Sequence, residues 1–129
     1  MDILHQWQQH ILESKSFNLA DKLIIEGLFK HQSGGRIQYA KVVFEIKPNP
    51  HFDVDLAPFL NVNDETKGYM EWAIFGLLDQ LLVISIEPLR NIYVSIKTID
   101  IHPVHSSKAA FRFAGRDAGQ KIPFTMRRF

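Results

Sequence analysis

Residues 30–41 have the sequence Lys-His-Gln-Ser-Gly-Gly-Arg-Ile-Gln-Tyr-Ala-Lys and form a polar connection between two apolar segments. Residues 23–29 precede it and residues 42–46 follow it, and both segments are rich in Ile, Leu, Val and Phe. The adjacent glycines Gly34 and Gly35 can take positive φ angles and let a backbone approach a partner closely. Two strand-like segments joined by a polar, glycine-containing loop predict a β-hairpin.

The side chains of this loop are hydrogen-bond donors without a carboxylate among them. They are the guanidinium of Arg36, the amides of Gln32 and Gln38, and the hydroxyl of Ser33. Such a set suits phosphates, ribose or base edges better than it suits a cation. A solvated hairpin tip that meets no partner is the alternative.

Composition sets further bounds on the protein. A chain of 129 residues has the size of one domain, and an apolar fraction of 46% is ordinary for a globular protein. The absence of Cys excludes disulfides, thiolate metal sites and Cys nucleophiles, and it is compatible with the cytoplasm. The opening residues are too polar for a secretory signal, and no apolar stretch approaches the roughly 20 residues of a membrane span.

Charge is unevenly distributed along the chain, although the formal net charge is only +1. Residues 30–47 and 108–129 are basic, whereas residues 49–87 are acidic. A protein segregated in this way can present a basic face to nucleic acid. Scattered, solvated charge is the alternative.

The second strand of the hairpin is predicted to cover residues 38–47. Four further elements are predicted, two before the hairpin and two after it. Residues 2–14 form an amphipathic helix, with Ile3, Trp7 and Ile11 on one stripe that covers the sheet or binds a partner. Residues 51–60 alternate as a third strand, residues 92–97 as a fourth, and residues 17–19 are extended.

Two further helices and a final strand complete the prediction. A long helix covers residues 64–83, with Asp64 as its N-cap and a broad apolar face that includes Phe75. A last helix ends near Gly119 and is capped by Ser106 or Ser107. Residues 122–129 return as a short edge strand.

The sequence predicts no catalytic, cofactor or metal site. Asp53 and Asp55 alternate on one strand face, which is the usual position of solvated acids. The pair His102-x-x-His105 is at most half a metal site, because no further residue completes a known spacing. The serines that follow are better explained as helix caps than as nucleophiles.

Residues 26–46, Glu-Gly-Leu-Phe-Lys-His-Gln-Ser-Gly-Gly-Arg-Ile-Gln-Tyr-Ala-Lys-Val-Val-Phe-Glu-Ile, resemble the opening of the fourth domain of elongation factor G. That family typically has Gln-Ser-Gly-Gly-Arg-Gly-Gln-Tyr-Gly here, so Ile37 and Ala40 replace glycines. Residues 88–118 also resemble it, through His102 and the Ser-Ser and Ala-Phe pairs that follow. They depart from the family at Thr98-Ile99, where it has an Asp-Gly turn, and at His105, where it has Asp.

The chain is expected to form one domain over residues 1–129, for which the resemblance implies an α+β fold. Residues 1–14 lie outside the resemblance and form an extra N-terminal helix. The implied fold is a two-layer sandwich of a four-stranded sheet and two main helices, of ribosomal-protein type, with a left-handed βαβ crossover. The implied RNA-binding residues lie in two tip loops. They are Gln32, Ser33, Gly34, Gly35, Arg36, Gln38 and His102.

The implied function is a stand-alone, non-catalytic, translation-associated module of the cytoplasm that binds the ribosome or structured RNA, such as transfer RNA or ribosomal RNA. The sequence contains no Gly-x-x-x-x-Gly-Lys-Ser/Thr phosphate loop, so no GTPase activity and no cofactor are expected, and no membrane is a partner. The alternative is a protein-interaction or dimerisation module that kept the fold but lost RNA contact. Ile37, the changed Thr98-Ile99 turn and the apolar stripe of the N-terminal helix favour that alternative.

Overall fold

The hairpin around Gly34 and Gly35 is formed in the structure, a computed structural model that describes residues 3–6, 16–18, 22–83, 92–122 and 125–127. After a short strand β1 (Ser16–Asn18), strands β2 (Leu23–Ser33) and β3 (Arg36–Pro48) pair antiparallel, with Ser33 opposite Arg36. The two glycines have φ angles of 55° and 81°, as a two-residue hairpin turn requires. Both strands extend closer to the turn than predicted, because the ladder continues to the last residue before the glycines.

The main sheet is mixed and has four strands. Strand β5 (Ile92–Asp100) pairs antiparallel with β3, and the two-residue strand β4 (Asp53–Val54) pairs parallel with β5, which gives the order β2-β3-β5-β4. The chain between β4 and β5 includes a helix, so these strands form the predicted βαβ unit; its left-handedness stays a prediction. Strand β6 (Thr125–Arg127) pairs with β1 in a separate sheet and is not an edge of the main one.

Helices α1 (Asp64–Val83) and α2 (Lys108–Gln120) pack on one face of the main sheet. The α+β architecture expected from the sequence is therefore confirmed. The core lies between the layers, and its largest fully buried side chains are Phe44, Phe111, Ile46, Met70, Leu77, Leu81, Ile92, Val42 and Val94. Ion pairs such as Lys41–Glu26 and Lys97–Glu45 lie elsewhere on the sheet, with exposed or half-buried side chains.

The predicted third strand is wrong in length. Only Asp53 and Val54 pair with β5, and a 3-10 turn, Ala57–Phe59, follows. The carboxylate of Asp55 accepts hydrogen bonds from the backbone N–H of Ala57 at 3.1 Å and from the Ser95 hydroxyl at 3.1 Å. These bonds turn the chain away from the sheet, so Leu56 is exposed, whereas an alternating strand over residues 51–60 would place it on the same face as Val54.

Three smaller predictions also need correction. Asn63, and not Asp64, caps α1, because its Oδ1 accepts from the backbone N–H of Thr66 at 2.8 Å. Thr98 and Ile99 lie within β5 and pair with β3, so the chain does not turn there. Phe75 is exposed, so the buried face of α1 is narrower than its sequence suggests.

Residues 3–6 of the predicted N-terminal helix are helical. The rest of that prediction, including Trp7 and Ile11, lies outside the described residues.

The two helices run parallel and cross closely at glycines. Gly68 lies beside Lys108, Gly76 beside Arg112 and Arg116, and Gly119 beside Gln80, so the contacts advance in the same direction along both helices. A Cβ built on Gly76 would collide with the carbonyl oxygen of Arg112 and would come within 2.9 Å of the Arg116 nitrogen. The backbones therefore touch without side chains between them.

An acid on α1 joins the helices at this crossing. Asp79 accepts hydrogen bonds from Arg112 Nε at 2.7 Å, from Arg112 Nη2 at 2.9 Å and from Arg116 Nε at 3.0 Å. These bonds, above all those from Arg112, hold the pKa of the Asp79 carboxyl below its usual value.

Asp79→Asn is expected to lower the free energy of unfolding by about 1 kcal/mol at pH 7, since the pair is only partly buried. A lowered folded-state pKa gives stability that is complete above the unfolded value of about 3.9 and is lost as pH falls through the folded value. The gap between the wild type and the variant should therefore narrow as the pH falls below about 4, as followed by urea unfolding. A gap that stays constant over this range would contradict the assignment, and Glu71→Gln, an exposed carboxyl on the same helix, serves as the control.

Candidate nucleic-acid interface

The hairpin tip and the loop between β5 and α2 lie against each other. This β5–α2 loop comprises residues 101–107. The backbone N–H of Tyr39 donates to the carbonyl of His105 at 3.0 Å, and the Tyr39 carbonyl accepts from the Ser106 hydroxyl at 2.8 Å. Because Tyr39 lies four residues beyond Gly35, these bonds fix the loop beside the hairpin tip.

The β5–α2 loop is also held by hydrogen bonds within itself. The N–H groups of His105 and Ser106 both donate to the His102 carbonyl, at 3.0 and 2.8 Å. The Ser106 hydroxyl oxygen accepts in turn from the His102 N–H at 2.9 Å. Ser107 is the N-cap of α2, because its Oγ accepts from the Ala110 N–H at 3.1 Å. The predicted cap is thus Ser107, whereas Ser106 fastens the loop.

The His102 side chain lies on the ring of Tyr39. Their ring centroids are 4.3 Å apart and the planes meet at 49°. His102 Nε2 is 4.0 Å from Asp100 Oδ2, and the same oxygen accepts a hydrogen bond from the Tyr39 hydroxyl at 2.9 Å. That bond raises the pKa of Tyr39, so its phenol stays an uncharged donor. The half-exposed imidazole is therefore positioned by Tyr39 and Asp100 at the edge of the site.

A groove of 370 Å³ lies between the hairpin and the loop. Its lining contains no carboxylate. The residues are Gly35, Arg36, Ile37, Gln38, Val104, His105, Ser106 and Ser107. The arrangement offers a guanidinium, an amide and an imidazole to a ligand, together with two apolar side chains.

The predicted tip residues are distributed around this groove. Gly35, Arg36 and Gln38 line it, whereas Gln32 and Gly34 are exposed at the tip beside it. Ser33 is the last residue of β2, and His102 lies next to the groove on Tyr39. The structure thus brings both predicted loops to one end of the molecule.

Five groove residues are not among the predicted site residues: Ile37, Val104, His105, Ser106 and Ser107. In the sequence, Ile37 and His105 are departures from the family pattern, and His105 is also half of a His-x-x-His pair. A signal for both residues is present in the sequence, because Ile37 lies beside Arg36 and His105 lies three residues after His102, in the two predicted tip loops. Tyr39, which fastens the two loops, gave no such signal, because its contacts are long-range.

The two basic segments of the sequence behave differently in the fold. On the hairpin, Lys30, His31 and Arg36 are exposed. In the second segment, Arg112 and Arg116 pair with Asp79, and Lys121 pairs with Asp117 at 3.0 Å. Those three charges are engaged by carboxylates, whereas Lys108, which follows the groove residue Ser107, is exposed. The hairpin and Lys108 therefore supply the basic character of this end of the molecule.

The acids Asp53 and Asp55 lie on the far edge of the sheet, in and after β4. Asp53 accepts from the Val54 N–H at 2.8 Å, and Asp55 accepts from Ala57 and Ser95, so their oxygens hold the local backbone. The described residues contain no group of three or more His, Asp or Glu side chains that could hold a metal ion. Over the same ranges, no helix combines the length and apolar character needed to cross a membrane.

Comparison with solved structures supports the fold. The chain is similar to a crystal structure of a protein from Thermus thermophilus, with a TM-score of 0.67 and 22% sequence identity. The match covers 84% of this chain and 16% of that protein. The chain therefore spans about one sixth of the larger protein, and at this identity the likeness concerns the fold alone.

Comparison with protein families identifies the chain. The family model described as elongation factor G, domain IV, matches residues 18–122. The match includes the hairpin, the main sheet, both helices and the β5–α2 loop, and it joins the two segments in which the sequence resembles that domain. The chain belongs to the elongation factor G domain IV family.

Proposed function

We propose that this chain is a non-catalytic, translation-associated module that binds the ribosome or structured RNA through the hairpin tip and the β5–α2 loop. The observation that supports it most is the fastening of both loops at Tyr39, which makes one concave surface from two segments. That surface carries Arg36, Gln38 and His105 and no carboxylate. Membership of a translation-factor domain family favours a ribosome-related partner in the cytoplasm over other polyanions.

The chemistry of the tip fits RNA in particular. The two glycines leave the turn without side chains, so its backbone can approach the wide minor groove of an RNA helix, where 2′-hydroxyls and base edges are accessible. Arg36 can hold a phosphate with charge-assisted hydrogen bonds. Gln32, Ser33 and Gln38 can bond ribose or base edges. Contacts of this kind recognise shape more than sequence, and they need no GTP hydrolysis by the chain itself.

Binding to purified small ribosomal subunits tests the proposal. We expect fluorescently labelled chain to bind the subunits at 50 mM salt and to lose affinity steeply at 200 mM, because each phosphate contact adds about 0.7–0.9 to the slope of log K against log salt. Naked ribosomal RNA serves as a second target, which separates binding to RNA from binding to ribosomal protein. If neither target binds at 50 mM salt, the proposal is wrong.

A protein-interaction module is the second candidate, favoured by one observation. Ile3 and Leu4, in the helical residues 3–6, are 73% and 63% exposed. An apolar helix face of this kind can bind a partner or a second copy of the chain. Size-exclusion chromatography with light scattering would show a dimer that Leu4→Asp dissolves. A monomer at every concentration would remove the homo-oligomer from consideration.

A further inference from the structure

The groove between the hairpin and the β5–α2 loop is concave, whereas contact with an RNA helix requires only a protruding tip. Its volume of 370 Å³ is near the lower end of the roughly 300–1,000 Å³ typical of small-molecule sites. An RNA duplex is too large to enter such a space, and the faces of its bases are already covered by stacking. A single group that projects from RNA can enter it.

The width of the groove is fixed before any ligand arrives. The backbone of Tyr39 is bonded to His105 and Ser106 on the opposite wall, at 3.0 and 2.8 Å. The hairpin, which forms the other wall, is held by the pairing of β2 with β3, which continues to Ser33 and Arg36. A preformed groove avoids the ordering cost that a flexible one would incur on binding.

The polar groups of the groove divide into engaged and available ones. The hydroxyls of Ser106 and Ser107 already hold backbone groups of the protein. Within the described part of the chain, by contrast, the side chains of Arg36 and Gln38 have no hydrogen-bond or ion-pair partner. They can therefore donate to a phosphate and to a base edge without breaking an existing contact.

The apolar groups lie on both walls. Ile37, on the hairpin, is 41% exposed, and Val104, on the loop, is 85% exposed. Side chains alternate along β3, so Ile37 points to the opposite face of the strand from Arg36 and Gln38. Val104, on the opposite wall, is therefore the apolar side chain that can pack against the flat face of a nucleobase, which is available only when the base is unpaired.

We propose that the groove binds one unpaired nucleotide of RNA, with its phosphate on Arg36 and its base against Val104 on the opposite wall. This inference rests on the proposed function and adds the class of nucleotide recognised. The module then binds RNA most tightly where a bulge or loop offers a base outside the stack.

The test compares two labelled RNA hairpins with the same stem, one fully paired and one with a single-nucleotide bulge. Wild type is expected to bind the bulged hairpin about tenfold more tightly. Val104→Ser is expected to bind the bulged hairpin no more tightly than it binds the paired hairpin. The side chain is largely exposed, so the fold should not suffer. Leu60→Ser, an exposed apolar residue away from the groove, is the matched control and should keep the preference.

A third hairpin carries an abasic bulge, which keeps the phosphate but lacks the base. The wild type should bind it with no higher affinity than the paired hairpin. Equal binding of the bulged and paired hairpins by wild type would overturn this inference and leave the proposed function standing. So would a preference that survives in Val104→Ser or with the abasic bulge. Absence of binding to all three hairpins and to ribosomal subunits would overturn both.

Discussion

Gly76→Ala is expected to lower the free energy of unfolding by about 2–3 kcal/mol, although alanine is the better helix former. The new methyl group would collide with the backbone of Arg112 in the neighbouring helix. A backbone carbonyl in the middle of a helix cannot move aside, so α1 and α2 must separate. Overpacking of a close contact costs about 1–3 kcal/mol or more, which outweighs the gain in helix propensity of up to about 1 kcal/mol.

Gly68→Ala is the matched control, because it is the same change in the same helix. There the new methyl group would come within 2.9 Å only of Lys108 Cε, the far end of a flexible side chain. We expect this variant to be as stable as the wild type or more stable by about 0.5–1 kcal/mol. Thermal and urea unfolding measure both effects. If Gly76→Ala and Gly68→Ala change stability by the same amount, the close crossing of the helices is wrong.

Arg36→Glu is expected to weaken binding to small ribosomal subunits on the order of a hundredfold at low salt. The substitution removes a phosphate ligand and places a negative charge in a groove that has no carboxylate. Arg36 is exposed and only its backbone closes the hairpin, so the thermal midpoint should change little. Fluorescence anisotropy titrations at several salt concentrations give the affinity, and their slope should fall in magnitude by about one phosphate.

Lys47→Glu is the control for this charge reversal. Lys47 is exposed on the same strand, but eleven residues away, which is about 36 Å along β3. Its reversal changes the net charge by the same amount and should reduce affinity no more than about threefold, through long-range electrostatics alone. Equal losses in the two variants would mean that the protein responds to its overall charge and that the hairpin tip is not the binding surface.

The local part of the fold could be predicted from the sequence. The hairpin follows from two adjacent glycines between apolar segments, and α1 and β5 follow from their hydrophobic periodicity. The third strand could not be predicted from its alternation, because a single carboxylate, Asp55, turns the chain towards Ser95 after two paired residues. Local patterns do not contain such long-range bonds.

The site was predictable only in outline. Arg36 and Gln38 could be selected from their chemistry, and the family resemblance pointed to the loop of His102. The groove itself depends on Tyr39 bonding to residues more than 60 positions away, which no local pattern records. The role of Gly76 could not be predicted either. From the sequence, a glycine inside a helix indicates only a loss of helix stability, and its close contact with the Arg112 backbone depends on how the two helices pack.

The central claim is that two separate loops form a single RNA-binding surface, and a nuclear magnetic resonance titration tests it most directly. The isotope-labelled chain is titrated with the bulged RNA hairpin while its backbone amide signals are followed. We predict that the largest shifts occur together in residues 34–38 and 102–107, with little change at Lys47 or at Leu56–Leu60. Large shifts at Leu56–Leu60 or on α1, with both loops unaffected, would contradict the account.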